Sequence, residues 1–96
     1  MPDVDYVFDT EPLLAYLYEE AGHDKVAELI DGVYAGDATA VIADSIAAEV
    51  LYKIARFEGA EDAPTPASLR VADRDVRALS RLGVTISRAE IGRAHV

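Results

Sequence analysis

The sequence has no cysteine and no tryptophan, and only two of its nine basic residues, Lys25 and Lys53, are lysines. Without thiols there is neither a disulfide framework nor a thiolate metal site, and a reducing interior is the natural setting. No apolar run approaches the roughly 20 residues needed to span a bilayer. The opening "MPDVDYV" carries acids where a signal peptide carries bases. The expected location is the cytoplasm. Histidine is also scarce: His23 and His95 stand far apart, which excludes a zinc pattern, and there is neither a Ser-His-Asp order nor a phosphate-cradling glycine loop. His23, beside Gly22 in a turn, reads as a surface residue.

What is abundant is acid. The net charge is -9, with 18 Asp and Glu against nine Lys and Arg, which argues against nonspecific nucleic-acid binding through a basic patch. An acidic, lysine-poor, alanine-rich chain also resembles proteins of salt-loaded cells, in which acidity is general. The sign of the charge therefore leaves the partner open. At 96 residues, 51% of them hydrophobic, the chain supports one small core.

Along the chain, "DYVFD" is a short apolar run with β-favouring Tyr6, Val7 and Phe8, and it reads as a buried strand. Thr10 is placed to cap the helix that follows, with Glu11 and Pro12 in its first turn, and that helix is expected over Glu11 to Glu20. After "AGHD", the apolar residues Val26, Ala27, Leu29, Ile30, Val33 and Tyr34 recur at helical spacing, predicting a second helix over Asp24 to Ala35. "TAVIA" predicts a second buried strand ending at Ala43. Asp44 or Ser45 then caps a third helix whose apolar stripe is Ile46, Ala47, Val50, Leu51, Ile54 and Phe57. "EGAEDAPTP" reads as a loop. Beyond it lie an amphipathic helix, "ASLRVADRDVRALSRL", closed by Gly83, and a third short strand, "VTI". Strands separated by helices imply an α/β three-layer sandwich with a parallel sheet covered on both faces.

In such sheets, ligands collect at the carboxyl ends of the strands. Asp9 lies at the end of the first strand, where an acid also suits a helix start. Glu49 lies in the first turns of the third helix, just after the second strand and beside the apolar stripe. An i,i+4 pair with Lys53 would account for it as a surface residue. If the two strands are neighbours, both carboxylates converge on one edge of the sheet.

These stretches, "YVFDTEPLLAYLYEE" followed by "VIADSIAAEVLYKIARFEG", resemble the first half of a PIN domain of the VapC-type ribonuclease toxins, over nearly the whole chain to about Ile86. The resemblance implies that Asp9 and Glu49 are metal-binding and catalytic acids and that Thr10 is the hydroxyl residue supporting Asp9. It implies Mg²⁺ or Mn²⁺, an RNA substrate, a cognate antitoxin and a homodimer. It also implies further aspartates on later elements, so that the fold is expected to be incomplete at its C-terminus and the chain as it stands to be a poor or inactive nuclease. Hard divalent cations take oxygen ligands and can activate a water for attack on a phosphate, which is why carboxylates suit the task. Asp44 is the weaker ligand candidate, being suited to capping.

Arg70, Arg74, Arg77 and Arg81 share one helical face opposite Leu69, Val76 and Leu79. They read either as a solvated face interleaved with Asp73 and Asp75 or as a contact for RNA or an acidic partner. The first helix is apolar nearly all round, with Leu13, Leu14, Tyr16, Leu17 and Tyr18, so it is buried by the core alone or by another chain as well. Two other functions compete: a non-catalytic α/β interaction module, and a phosphatase of the haloacid dehalogenase type, for which "VFDTE" has Glu11 in place of a second Asp.

Residues 1–89 are expected to form the partial PIN-like domain and residues 90–96 a non-native tail. Ile91 to Val96 can be back-translated as ATC GGA AGA GCA CAC GTC, which is the common short-read sequencing adapter in one frame, followed there by a stop. On that expectation Glu90, Arg93 and His95 carry no functional information.

Overall fold

The computed structural model describes residues 4–87 and holds three short strands and four helices there. The order is β1 (Tyr6–Val7), α1 (Thr10–Leu17), α2 (His23–Tyr34), β2 (Ala40–Ala43), α3 (Asp44–Phe57), α4 (Pro66–Arg81) and β3 (Thr85–Ser87). The tail expected to be non-native lies outside the described residues. The protein is an α/β fold with a small three-stranded sheet of order β1-β2-β3. Both pairings are parallel, with Val7 opposite Val41 and Val41 opposite Thr85.

Although β1 is short, its pairing extends past both ends. The Asp5 and Tyr6 N–H groups donate to the Thr39 carbonyl, and the Phe8 N–H donates to Val41 at 3.1 Å. The Asp5 carboxylate accepts from the Thr39 N–H at 2.8 Å, locking the register from the side. The central strand β2 is buried at Ala40, Val41 and Ile42. The outer strands are less covered than a sheet sandwiched on both faces would be: Val7 is 51% exposed and Ile86 38%. An outer strand has a packed neighbour on one side only, so an apolar residue there keeps part of its surface in water.

The core is filled from every helix: Leu13 and Leu14, Val26, Ile30 and Val33, Ala47, Val50 and Ile54, then Ala72, Val76 and Leu79. These are 3.6-residue spacings, and they pair α1 with α2 and α3 with α4, while α1 also packs on α3. On α1 and at its C-cap, Tyr16, Leu17 and Tyr18 are half-buried against the core.

Three members of the expected apolar faces are exposed: Tyr34, which ends α2, Phe57 and Leu69. Phe57 is 58% exposed because α3 ends there, and its ring instead meets Tyr18 edge-on with centroids 5.9 Å apart. Leu69 is exposed while Ser68 takes the buried position. Thr65 and Ser68 form a reciprocal capping box, each side chain bonding the other's backbone N–H, and this orients the first turn of α4 with Ser68 inward. His23 is half-buried, stacking on Tyr16 at 5.6 Å rather than standing free on the surface.

Tyr18 also ties α1 to the end of α3, its hydroxyl donating to Glu58 Oε2 at 3.0 Å. Desolvation first, then the hydrogen bond and charge of Glu58, push its pKa from 10.0 up to about 12. The folded chain thus holds this proton more tightly than the unfolded one. The resulting stabilisation is complete below pH 10, and it is lost as pH rises through about 12. Alkaline melts followed by circular dichroism should show a decline over that window that is smaller in Tyr18→Phe than in the unaltered chain.

Candidate metal centre

Because β1 and β2 run parallel side by side, the helices that leave them start on the same edge of the sheet. Asp9 stands at the start of α1 with extended backbone, φ -93° and ψ 179°, and is its N-cap residue. Its Oδ1 accepts from the Thr10 N–H at 2.8 Å. The helix therefore begins at Thr10, and the capping role expected of Thr10 falls to Asp9.

Thr10 is left to do something else. Its hydroxyl donates to Glu49 Oε2 at 2.6 Å, a bond that joins residues 39 apart in sequence. Thr10 is only 4% exposed, so this hydroxyl is committed to the carboxylate rather than shared with solvent. The hydroxyl of Thr10 thus supports Glu49, and its backbone serves Asp9. The two acids flank one buried residue and both reach solvent.

Counting oxygens shows what remains. Asp9 commits Oδ1 to the helix start and Glu49 commits Oε2 to Thr10. The second oxygen of each makes no hydrogen bond among the described residues, although Lys53 Nζ lies 3.6 Å from Glu49 Oε1. Two solvent-facing carboxylates that keep an uncommitted oxygen each are a donor set suited to a hard, hydrated divalent cation. Among the described residues no group of three or more His, Asp or Glu side chains gathers in one place.

Asp44 lies in the first turn of α3, but the cap position is Ala43, which makes no side-chain cap bond. An acid one residue inside a helix still interacts favourably with the exposed N–H groups there, without closing them as a cap would. On α4 the arginines do lie opposite the buried stripe of Ser68, Ala72, Val76 and Leu79 and are exposed. Arg77 pairs with Asp73 at 2.8 Å and Arg74 with Asp75 at 3.2 Å. Arg70 and Arg81 have no acidic partner among the described residues. Two surface depressions occur where α1 passes into α2, the more apolar about 590 Å³ in volume and lined by Pro12, Ala15 and Val26 among others, but neither is lined by Asp9 or Glu49.

The Thr10–Glu49 bond was not anticipated from sequence. Its signal was the Asp-Thr pair itself: once Asp9 takes the cap, a buried threonine hydroxyl must find an acceptor.

The fold belongs to a known class. A family model described as PIN domain matches residues 6–94, and the chain belongs to that family. Its members are generally nucleases, acting on nucleic acids and typically using divalent metals. A search of curated proteins and a search of solved structures each found no match. No helix among the described residues is long and apolar enough to cross a membrane.

Proposed function

We propose that the chain is a Mg²⁺- or Mn²⁺-dependent endoribonuclease of VapC type, with Asp9 and Glu49 as metal ligands, acting in the cytoplasm as the toxin of a toxin–antitoxin pair. The observation that carries this reading is the hydrogen-bonded series Asp9–Thr10–Glu49, which draws two carboxylates together from two neighbouring strand ends. A divalent cation held there would supply Lewis-acid polarisation of a phosphate oxygen and a water of lowered pKa. The chain's own part is to hold the ligands. Asp9 is fixed by the start of α1, Glu49 is fixed by Thr10, and Thr10 is fixed by burial.

Two carboxylates hold a hydrated Mg²⁺ weakly, on the order of millimolar, so cleavage by this chain is expected to be slow. The substrate strand would approach the solvent-facing side of the acids, with Arg70 and Arg81 as the least encumbered cations of the α4 face. A homodimer or an antitoxin would have Tyr52, Phe57 and Leu69 available, large apolar side chains exposed on α3 and α4.

The test is Mn²⁺-dependent cleavage of a single-stranded RNA by the purified chain at high enzyme concentration. Slow endonucleolytic products are expected that vanish on adding a chelator and in Asp9→Asn and Glu49→Gln alike. Cleavage that survives both substitutions would belong to a contaminant or to other residues and would refute the assignment.

A further inference from the structure

Lys53 sits one helical turn beyond Glu49 on α3, its Nζ 3.6 Å from Glu49 Oε1. That oxygen is the one the Thr10 hydroxyl leaves uncommitted, so the ammonium lies against the position where a cation would bind. We propose that Lys53 is a positioning residue that competes with the divalent cation for Glu49, setting the affinity of the acid pair and the access of metal to it. The inference rests on the reading of Asp9 and Glu49 as metal ligands.

The geometry favours competition over a static bond. At 3.6 Å the contact is an ion pair without a hydrogen bond, and the lysine side chain is a flexible stem carrying a compact charge. Glu49 is held on its other oxygen by a 2.6 Å bond from a buried residue, so of the two partners Lys53 is the one free to move. The lysine side chain is 33% exposed against 47% for Glu49, so it is partly packed along the helix while its head stays within reach of water. Arg56, one turn further on, is already engaged by Asp62 and lies over the Tyr52 ring, so it does not substitute for Lys53.

Removing the charge at position 53 therefore removes a repulsion toward any divalent cation on Glu49 Oε1, an effect that salt screens at this exposed site. Mn²⁺ affinity is measured on the full chain from the paramagnetic loss of backbone amide signals at Thr10 and Glu49. Lys53→Met is expected to bind Mn²⁺ about three- to tenfold more tightly at low ionic strength, with the gain shrinking as salt is raised. Lys53→Arg, which keeps the charge, is expected to stay within about twofold of the unaltered chain.

A second readout uses the scarcity of lysine. Mg²⁺ is expected to raise the acylation rate of Lys53 relative to Lys25, the only other lysine, when both are followed by peptide mapping. Unchanged or weaker Mn²⁺ binding in Lys53→Met, or a Lys53 reactivity indifferent to Mg²⁺, overturns the competition. If Mn²⁺ leaves the Thr10 and Glu49 amides of the unaltered chain untouched, the metal reading of the acid pair falls instead, so the two failures are distinguishable.

Discussion

Gly59→Ala is expected to lower the stability of the chain by about 3 kcal/mol or more. A Cβ at this position would stand 1.9 Å from the Ala63 carbonyl oxygen and 2.8 Å from the Ala55 carbonyl oxygen. Both are backbone atoms, so no side-chain rotation relieves the overlap. The turn around them is already closed by reciprocal Ala60 and Ala63 hydrogen bonds at 3.0 Å, and Glu61 and Asp62 adopt left-handed φ of 54° and 59°. Forcing it apart would displace α4 from α3, the most extensive helix contact in the molecule. Overpacking of this kind costs about 3 kcal/mol or more, against a total stability of roughly 5–14 kcal/mol for a domain of this size. Urea unfolding followed by circular dichroism is the measurement, and a midpoint within about 0.3 M of the unaltered chain, with m of the usual size, would contradict the account. Glu61→Gly is the control, because it relieves a left-handed residue and is expected to be neutral or to stabilise by up to about 1 kcal/mol.

How much of this was legible beforehand depends on whether the information is local. Helix α2 and strand β2 could be read nearly to their ends, because apolar spacing at 3.6 residues and an unbroken apolar run are properties of the residues themselves. The parallel order followed from the alternation of strands and helices. Helix starts were less legible: in "DTEP" either Asp9 or Thr10 can cap, and what decides is that Thr10 has an acceptor waiting 39 positions away. No pattern within a window of a few residues contains that acceptor. The same holds for Phe57, which fits its stripe and yet lies outside the core because the helix stops under it. Ser68 was invisible for the opposite reason, since a polar residue enters the buried stripe only when a reciprocal cap satisfies it. The acids Asp9 and Glu49 could be named from strand ends, whereas the bond that holds Glu49 could not.

The dual duty of Asp9 sets the last prediction, because a cap and a metal ligand ask different things of the same side chain. Asparagine caps a helix about as well as aspartate, and its amide oxygen can accept the Thr10 N–H as Oδ1 does. It carries no charge, however, and is a poor substitute for a carboxylate toward a hard cation. Asp9→Asn is therefore expected to melt within about 0.5 kcal/mol of the unaltered chain without metal, while Asp9→Ala loses about 1 kcal/mol from the missing cap. With Mn²⁺ the order changes. A ligand bound by the folded state alone stabilises it by RT ln(1 + [L]/Kd), about 1.4 kcal/mol when Mn²⁺ stands at ten times its Kd. The unaltered chain should show that rise, and Asp9→Asn, Asp9→Ala and Glu49→Gln should all lose nearly the whole of it. The double substitution Asp9→Asn with Glu49→Gln should lose no more than either alone, since both acids would serve one cation and their effects are then far from additive. Were Asp9 only a cap and Glu49 only a partner of Lys53, either the unaltered chain would show no Mn²⁺ rise or the rise would survive both Asp9→Asn and Glu49→Gln. Either result would favour a non-catalytic interaction module over a metal-dependent nuclease.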